Sequence, residues 1–333
     1  LNDGDPNTSD DLGITGIWLM PMMESPSYHG YDVTDYYNIE PDYGTMEDFE
    51  EFLEQAQLRG IKVVIDLVLN HTSNQHPWFT QSANNQNNFR DWYIWADNNQ
   101  GPSGPWGQNT WHYNQGNYYY GLFWSGMPDL NYEHPSVKQE MKNIANFWLN
   151  KGVDGFRLDA IKYLIEEDSN LENTPANFSL IEELNEVYKY TSPESFTIGE
   201  AWSNTNSIIP YVKSGRLDAC FDFDLASDII NAVNSASSLS LTAQIQTIVE
   251  SYPALQYGTF LTNHDMDRVY NQLGYNNEKM KLAASIYLTL PGIPFIYYGE
   301  EIGMFSEAGS VYATDILKVN RDGTWHNVTG QPS

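Results

Sequence analysis

Cysteine is almost absent from this sequence. Cys220 is the only one in 333 residues, so no internal disulfide can form, and its place in the apolar run Ala219 to Leu225 reads as core rather than as a nucleophile. Positive charge is scarce as well: sixteen Lys and Arg stand against forty-four Asp and Glu, for a net charge of −28 and a pI near 4.3. Such a field repels nucleic acid and anionic membranes and suits a neutral ligand in an extracellular, periplasmic or salty medium. Long apolar stretches are missing too. No run approaches the roughly 18 residues of a membrane span, and no signal peptide is visible. The chain opens on Leu1 rather than Met, in the manner of a sequence whose targeting segment has been lost.

Aromatic residues are what the sequence has in abundance. They make up 14% of it, with 10 Trp and 23 Tyr, and hydrophobic residues reach 41%, which excludes disorder. The length allows one large α/β barrel or two ordinary domains with a sizeable core.

Along the chain, strand and helix patterns alternate. Ile14 to Met20, ended by Pro21, reads as a strand buried on both faces. Thr45 to Gly60 follows as a helix with Thr45 as N-cap and Gly60 past its end, then Ile61 to Val68 as a second strand. Pro135 at a first helical turn opens Ser136 to Lys151, which Gly152 closes. Further strands are predicted at Val153 to Asp159, Phe196 to Trp202, Asp218 to Phe223, Thr259 to Asn263 and Ile293 to Tyr298. Helices are predicted between them around Phe178 to Tyr190, Thr242 to Ser251 and Glu278 to Leu290. This alternation predicts a parallel sheet of the (β/α)8 kind, one strand short. Residues 72–131 break the rhythm. They are rich in Asn, Gln, Gly and rings from Trp78 to Trp124, and too long for a plain loop, which predicts an inserted subdomain. Most of its rings should pack its own core; some should face a ligand, since flat rings stack on sugars while amide side chains serve hydroxyls.

The chemistry gathers in Gly152-Val153-Asp154-Gly155-Phe156-Arg157-Leu158-Asp159-Ala160. At the strand period of two, Arg157 and Asp159 share a face, so a cation holds a carboxylate ionised and oriented, as a nucleophile requires. A buried structural ion pair would look the same. Three other predicted strands also carry acids toward their ends: Asp66, Glu200 and Asp265, with His71 and His264 beside them. In a barrel all strand C-termini open on one mouth, and carboxylates crowded in a polar mouth suit glycoside hydrolysis. There Asp159 is expected to stay ionised, and Glu200, near apolar Ile198 and Trp202, to have the raised pKa of a proton donor.

Four segments, Asp66-Leu67-Val68-Leu69-Asn70-His71, Gly155 to Ala160, Gly199-Glu200-Ala201-Trp202 and Thr262-Asn263-His264-Asp265, resemble in order the four signature regions of the α-amylase superfamily, glycoside hydrolase family 13. Gly16 to Pro21, Met127-Pro128-Asp129-Leu130-Asn131 and Gly292 to Glu301 add to the resemblance, which runs from about residue 11 to 304. It implies an α/β fold, a (β/α)8 TIM-type barrel that is incomplete in this chain, with a domain B inserted between strand 3 and helix 3. Residues 1–71 and 132–304 would then be barrel, 72–131 domain B, and 305–333 an unassigned tail. The first strand is similar to the family's second, so the chain is expected to be a fragment lacking the first barrel strand and the C-terminal β-domain.

The resemblance further implies Asp159 as nucleophile, Glu200 as general acid/base and Asp265 as transition-state stabiliser. Tyr31, His71, Arg157 and His264 would contact the reacting sugar, Lys162 and Trp202 the leaving-group side, and Asp66 would be a supporting structural acid. Asn70 stands where the family often ligates a structural Ca²⁺, although Tyr163 replaces a histidine common in α-amylases. The activity implied is retaining hydrolysis of α-1,4 bonds in starch or maltodextrins. Asp32 after Tyr31 also occurs in exo-acting members, so an α-glucosidase, oligo-1,6-glucosidase or transglycosylase is the alternative within enzymes. A non-catalytic carbohydrate-binding relative is the alternative outside them.

Overall fold

The computed structural model describes residues 11–101, 103–167 and 170–306, together with two strands at Leu317–Arg321 and Thr324–Val328. Contacts divide the chain into two compact units, one ending at Glu200 and the other starting at Ala201. Among the described residues no helix is long and apolar enough to cross a membrane.

In the first unit β1 (Gly16–Leu19) leads to a short antiparallel pair, β2 (Met23–Glu24) and β3 (Asp35–Ile39). Helix α1 (Met46–Leu58) starts at Thr45, whose hydroxyl accepts the Asp48 N–H while the Asp48 carboxylate accepts the Thr45 N–H, a capping box that satisfies two otherwise orphaned donors. β4 (Lys62–Leu67) comes next, and residues 72–131 contribute α2 (Pro77–Ala83) and a three-stranded antiparallel sheet of β5 (Trp95–Ala96), β6 (Trp111–Asn114) and β7 (Asn117–Tyr120). Several of its rings pack on one another: Phe79 meets Tyr93, Trp95 and Tyr119 at centroid distances of 5.1, 5.7 and 4.8 Å. Others, Trp106, Tyr113 and Trp124, are exposed. The chain then runs through α3 (Pro135–Lys151), stopped by Gly152 in the left-handed conformation, and on to β8 (Gly155–Leu158), α4 (Pro175–Thr191) and β9 (Phe196–Gly199).

Strands β1, β4, β8 and β9 are parallel neighbours in that order. β8 is buried throughout and β4 everywhere but at Lys62, which explains their nearly unbroken apolar sequences. The register sets Asp66 opposite Arg157, so pairing alone brings the acid and the cation together inside a dry sheet.

The second unit holds α5 (Thr205–Val212), β10 (Ala219–Phe221), α6 (Phe223–Ser235), α7 (Leu239–Ser251), β11 (Tyr257–Thr259), α8 (Val269–Gln272), α9 (Asn277–Thr289) and β12 (Ile293–Pro294). Here β10, β11 and β12 are parallel neighbours. β13 (Leu317–Arg321) and β14 (Thr324–Val328) form an antiparallel hairpin. Four parallel strands in one unit and three in the other, each set alternating with helices, are the elements of the incomplete (β/α)8 fold that the alternation predicts.

Several boundaries differ from expectation. Helices α5 and α6 were not foreseen. Pro210 lies inside α5, and α6 begins within what reads as a strand, because buried Asp222 stops β10 by capping the next helix: its carboxylate accepts the Leu225 N–H at 2.9 Å. The sixth parallel strand sits at Tyr257–Thr259 rather than Thr259–Asn263, since the buried apolar run continues into the loop past the strand's end.

Candidate active site

One guanidinium organises the first unit's polar centre. Arg157, 1% exposed, donates from Nη1 to both Asp66 oxygens at 3.0 Å and to Asp159 Oδ1 at 2.5 Å, and its Nη2 lies 3.7 Å from Glu200 Oε2. Burial works against the charge on Arg157, but Asp66, Tyr31, Asp159 and Glu200 together hold its pKa well above the ordinary value. Burial pushes Asp66 up to about 7 against the pull of Arg157, with the charge of Asp159 adding to the rise.

The turn after β8 ties the two remaining acids together. Ala160 adopts φ +47°, a left-handed conformation uncommon for a residue with a Cβ, and so aims its N–H at Glu200 Oε2, 2.9 Å away. The next N–H, of Ile161, reaches the Glu200 carbonyl at 3.1 Å. The residue following Asp159 thus holds the Glu200 side chain. An N–H and a guanidinium are thus among the groups that face the Glu200 carboxylate.

The other first-unit candidates surround this centre. The Tyr31 hydroxyl donates to Asp66 Oδ2 at 3.1 Å and lies 3.3 Å from Arg157 Nη1. Asp32 is buried and accepts hydroxyl hydrogen bonds on Oδ1 from Ser25, at 2.8 Å, and from Ser27. His71 is buried and burial lowers its pKa to about 4, so the ring is neutral. Its Nδ1 is 3.4 Å from Asn70 Nδ2, which as the donor leaves the ring proton on Nε2, a buried atom with no protein partner. Lys162 is buried and paired with Glu172 at 2.8 Å. Two contributors escaped the sequence reading. Trp18 looked like plain core within its apolar run, yet its indole N–H faces Asp66 Oδ2 at 3.3 Å and its ring lies under Arg157, 5.1 Å from centroid to guanidinium carbon. Glu172 lies in a stretch without periodicity, where nothing pointed to it.

The remaining candidates belong to the second unit. Asp265 is half exposed, with His264 Nε2 at 3.2 Å from its Oδ2, and its own N–H is held by Asn263 Oδ1 at 3.0 Å. Thr262 anchors the same loop by donating to Glu300 at 2.5 Å, and burial pushes the Glu300 carboxyl up to about 7. Trp202 stacks on Phe223 at 4.6 Å and remains 45% exposed.

Asn70 donates through Nδ2 to Asp129 Oδ2 at 3.0 Å, while its buried Oδ1 has no protein partner. Asp129 is held well above the usual carboxylate range by burial and by Glu166, and burial brings Glu166 to about 7. Glu166 Oε1 is also buried without a hydrogen bond. Among the described residues no cluster of three or more His, Cys, Asp or Glu could hold a metal; two acids with an orphaned amide oxygen are nevertheless the hard oxygen donors that Ca²⁺ takes.

An incomplete α/β barrel is the class of fold that these elements define. The chain belongs to the α-amylase family: it matches "Alpha amylase, catalytic domain" over residues 9–325, which extends past Met304, where the motif resemblance stops. It is 44% identical to alpha-amylase 3 of Dictyoglomus thermophilum over 94% of this chain and 61% of that protein. It is 35% identical to a 4-alpha-glucanotransferase of Thermotoga maritima, over 88% of this chain and 65% of the relative. The crystal structure of an alpha-amylase from H. orenii superposes with a TM-score of 0.84 at 44% identity, covering 94% of this chain and 64% of that one. The chain thus spans less than two thirds of the length of these relatives.

Proposed function

We propose that this chain is the catalytic part of a retaining glycoside hydrolase that cleaves α-1,4-glucosidic bonds in starch or maltodextrins. The observation that carries this reading is one buried guanidinium, that of Arg157, against both Asp159 and Glu200, with the Ala160 N–H tying one acid's strand to the other's side chain. In the first step Asp159 attacks the anomeric carbon while Glu200 gives its proton to the departing glycosidic oxygen, so the C–O bond breaks as an ester to Asp159 forms. In the second, Glu200 takes a proton from water, whose oxygen displaces Asp159 and releases the sugar with its original configuration. Arg157 aims Asp159 through its hydrogen bond, and the His71 Nε2–H serves a hydroxyl of the reacting sugar; the family resemblance gives Asp265 the role of stabilising the positive charge of the transition state.

Transfer is the second reading, favoured by the 35% identity to a glucanotransferase: a sugar hydroxyl would replace water in the second step. Incubating the full-length parent with starch, maltotriose and isomaltose and following products by NMR decides. The α-anomer of short maltodextrins as first product is expected from starch; an inverted first product, or cleavage of isomaltose alone, overturns the proposal, and longer oligosaccharides from maltotriose identify transfer. Glu200→Gln should abolish turnover of starch while oligosaccharide binding persists, because the amide keeps the shape but has no proton to give. A wild-type rate in that variant would show another residue to be the acid.

Ca²⁺ fits a structural role beside Asn70, Asp129 and Glu166, where it would compensate two buried acids. Chelation should then lower the melting temperature, and Asn70→Ala should remove that sensitivity; a melting temperature indifferent to chelator leaves the two acids to share protons instead.

A further inference from the structure

Trp106 is a large ring left in the open. It is 61% exposed, yet its loop is fastened at several points. The Gly104 N–H donates to the Gln108 carbonyl at 2.8 Å, the Gln108 side chain accepts the Trp106 N–H at 2.9 Å, and the same amide donates to the Leu122 carbonyl at 2.9 Å. The indole packs on Phe123 at 5.6 Å and on the edge of Tyr163 at 6.0 Å. Both of those rings lead toward the reacting centre. Phe123 meets His71 at 5.2 Å, and buried Tyr163 adjoins Lys162 in sequence and has its pKa raised by burial first, then by the charges of Glu172 and Glu200. Tyr163 is covered by protein, whereas Trp106, packed against it, keeps an open face.

We infer that Trp106 is the stacking surface of a glucose-binding subsite on the leaving-group side of Glu200, with the Lys162–Glu172 pair at its polar edge. This rests on the hydrolase reading above and deepens it. Pyranose rings have apolar C–H faces that lie on an indole, and their hydroxyls take an ammonium donor and a carboxylate acceptor together. Fixing the loop through Gln108 removes an ordering cost that binding would otherwise bear. The side of the bond follows from chemistry: the acid that protonates the glycosidic oxygen lies next to the departing sugar, and Tyr163, against which Trp106 packs, belongs to the same turn as Ala160 and Ile161, whose N–H groups hold Glu200. A ring that only shielded Phe123 and Tyr163 would be needed equally for every substrate.

The test uses the full-length parent and two substrates that differ in what leaves. Maltoheptaose places glucose units on the leaving-group side, whereas α-maltosyl fluoride loses only fluoride and leaves that side unused. In Trp106→Ala the loss of kcat/KM on maltoheptaose should exceed the loss on the fluoride by roughly 2- to 10-fold. Trp106→Tyr should recover most of the difference, and the melting temperature should change little for a ring this exposed. Equal losses on both substrates, or no loss on either while the wild type turns over both, overturns the subsite and leaves the hydrolase reading intact. A wild type inactive on both substrates overturns the reading itself and the subsite with it.

Discussion

His76 does its structural work only as a neutral ring. Its Nδ1 accepts the Trp78 N–H at 3.0 Å and so caps α2, a bond that a protonated imidazole has no lone pair to make. The ring is buried against Tyr36 and Trp78, and burial lowers its pKa to about 3. In the unfolded chain a histidine titrates near 6.5, at about that pH. Below it the unfolded state therefore binds a proton that the folded state refuses, and stability falls as pH drops from about 6.5 toward 3, by up to about 1.4 kcal/mol per pH unit. His71, lowered to about 4, acts in the same direction. His76→Asn keeps a capping acceptor and removes the titration, so unfolding measured from pH 7 to 4 should show a flatter acid limb than the wild type. An unchanged slope would mean that His76 is not a source of the acid sensitivity. At this scale the strand period of two was enough to put Arg157 and Asp159 side by side, and the register with β4 then supplied Asp66. The His76 cap and the Trp18 contact were illegible for a shared reason: each depends on the polar atom of a residue type that usually signals something else.

Between β8 and β9 the closest approach falls at Gly155. A Cβ built there would lie 1.9 Å from the Phe196 carbonyl oxygen and 2.7 Å from that residue's N and C. These are backbone atoms of the paired strand, so no side-chain rotation makes room. Gly155→Ala should push β9 away and cost on the order of 1 to 3 kcal/mol, seen as a melting temperature lower by several degrees. Because Phe196 begins β9, which ends at Gly199 just before Glu200, starch turnover should fall further than the stability loss explains. Unaltered melting and turnover would show that the strands separate freely. Among the elements, the ends marked by chemistry were readable: Thr45, Pro135 and Gly152 stand where α1 and α3 start and stop. The start of α6 was hidden because Phe221, Phe223 and Leu225 continue one apolar run through the cap at Asp222, and composition does not reveal where a strand becomes a helix.

At the scale of the whole chain, charge is the dominant fact. With a net charge of −28, mutual repulsion of acids opposes compactness, and the scarce lysines pin elements together: Lys62 on β4 to Asp154 before β8 at 2.8 Å, Lys142 on α3 to Glu183 on α4 at 2.5 Å. Raising salt from about 10 mM to about 1 M shortens the screening length from roughly 30 to 3 Å. Repulsion among many acids should be relieved by more than the few pairs are weakened, so the melting temperature should rise with salt; a steady fall would mean that the pairs outweigh the repulsion. The alternation of strands and helices conveyed the barrel class without any of this. The division at Glu200 was not legible, since a boundary between compact units depends on contacts among residues far apart in sequence.

Cys220 sits in the middle of β10, wholly shielded from solvent. A thiol reagent added to the native protein can reach it only during moments when the second unit opens, so the rate of labelling is a clock for that opening. With one sulfhydryl in the chain every modified molecule reports the same event, and no mutagenesis is needed to read it. If labelling follows denaturant as steeply as global unfolding does, the second unit opens only with the whole chain; a shallow dependence would reveal a local opening of lower free energy around β10.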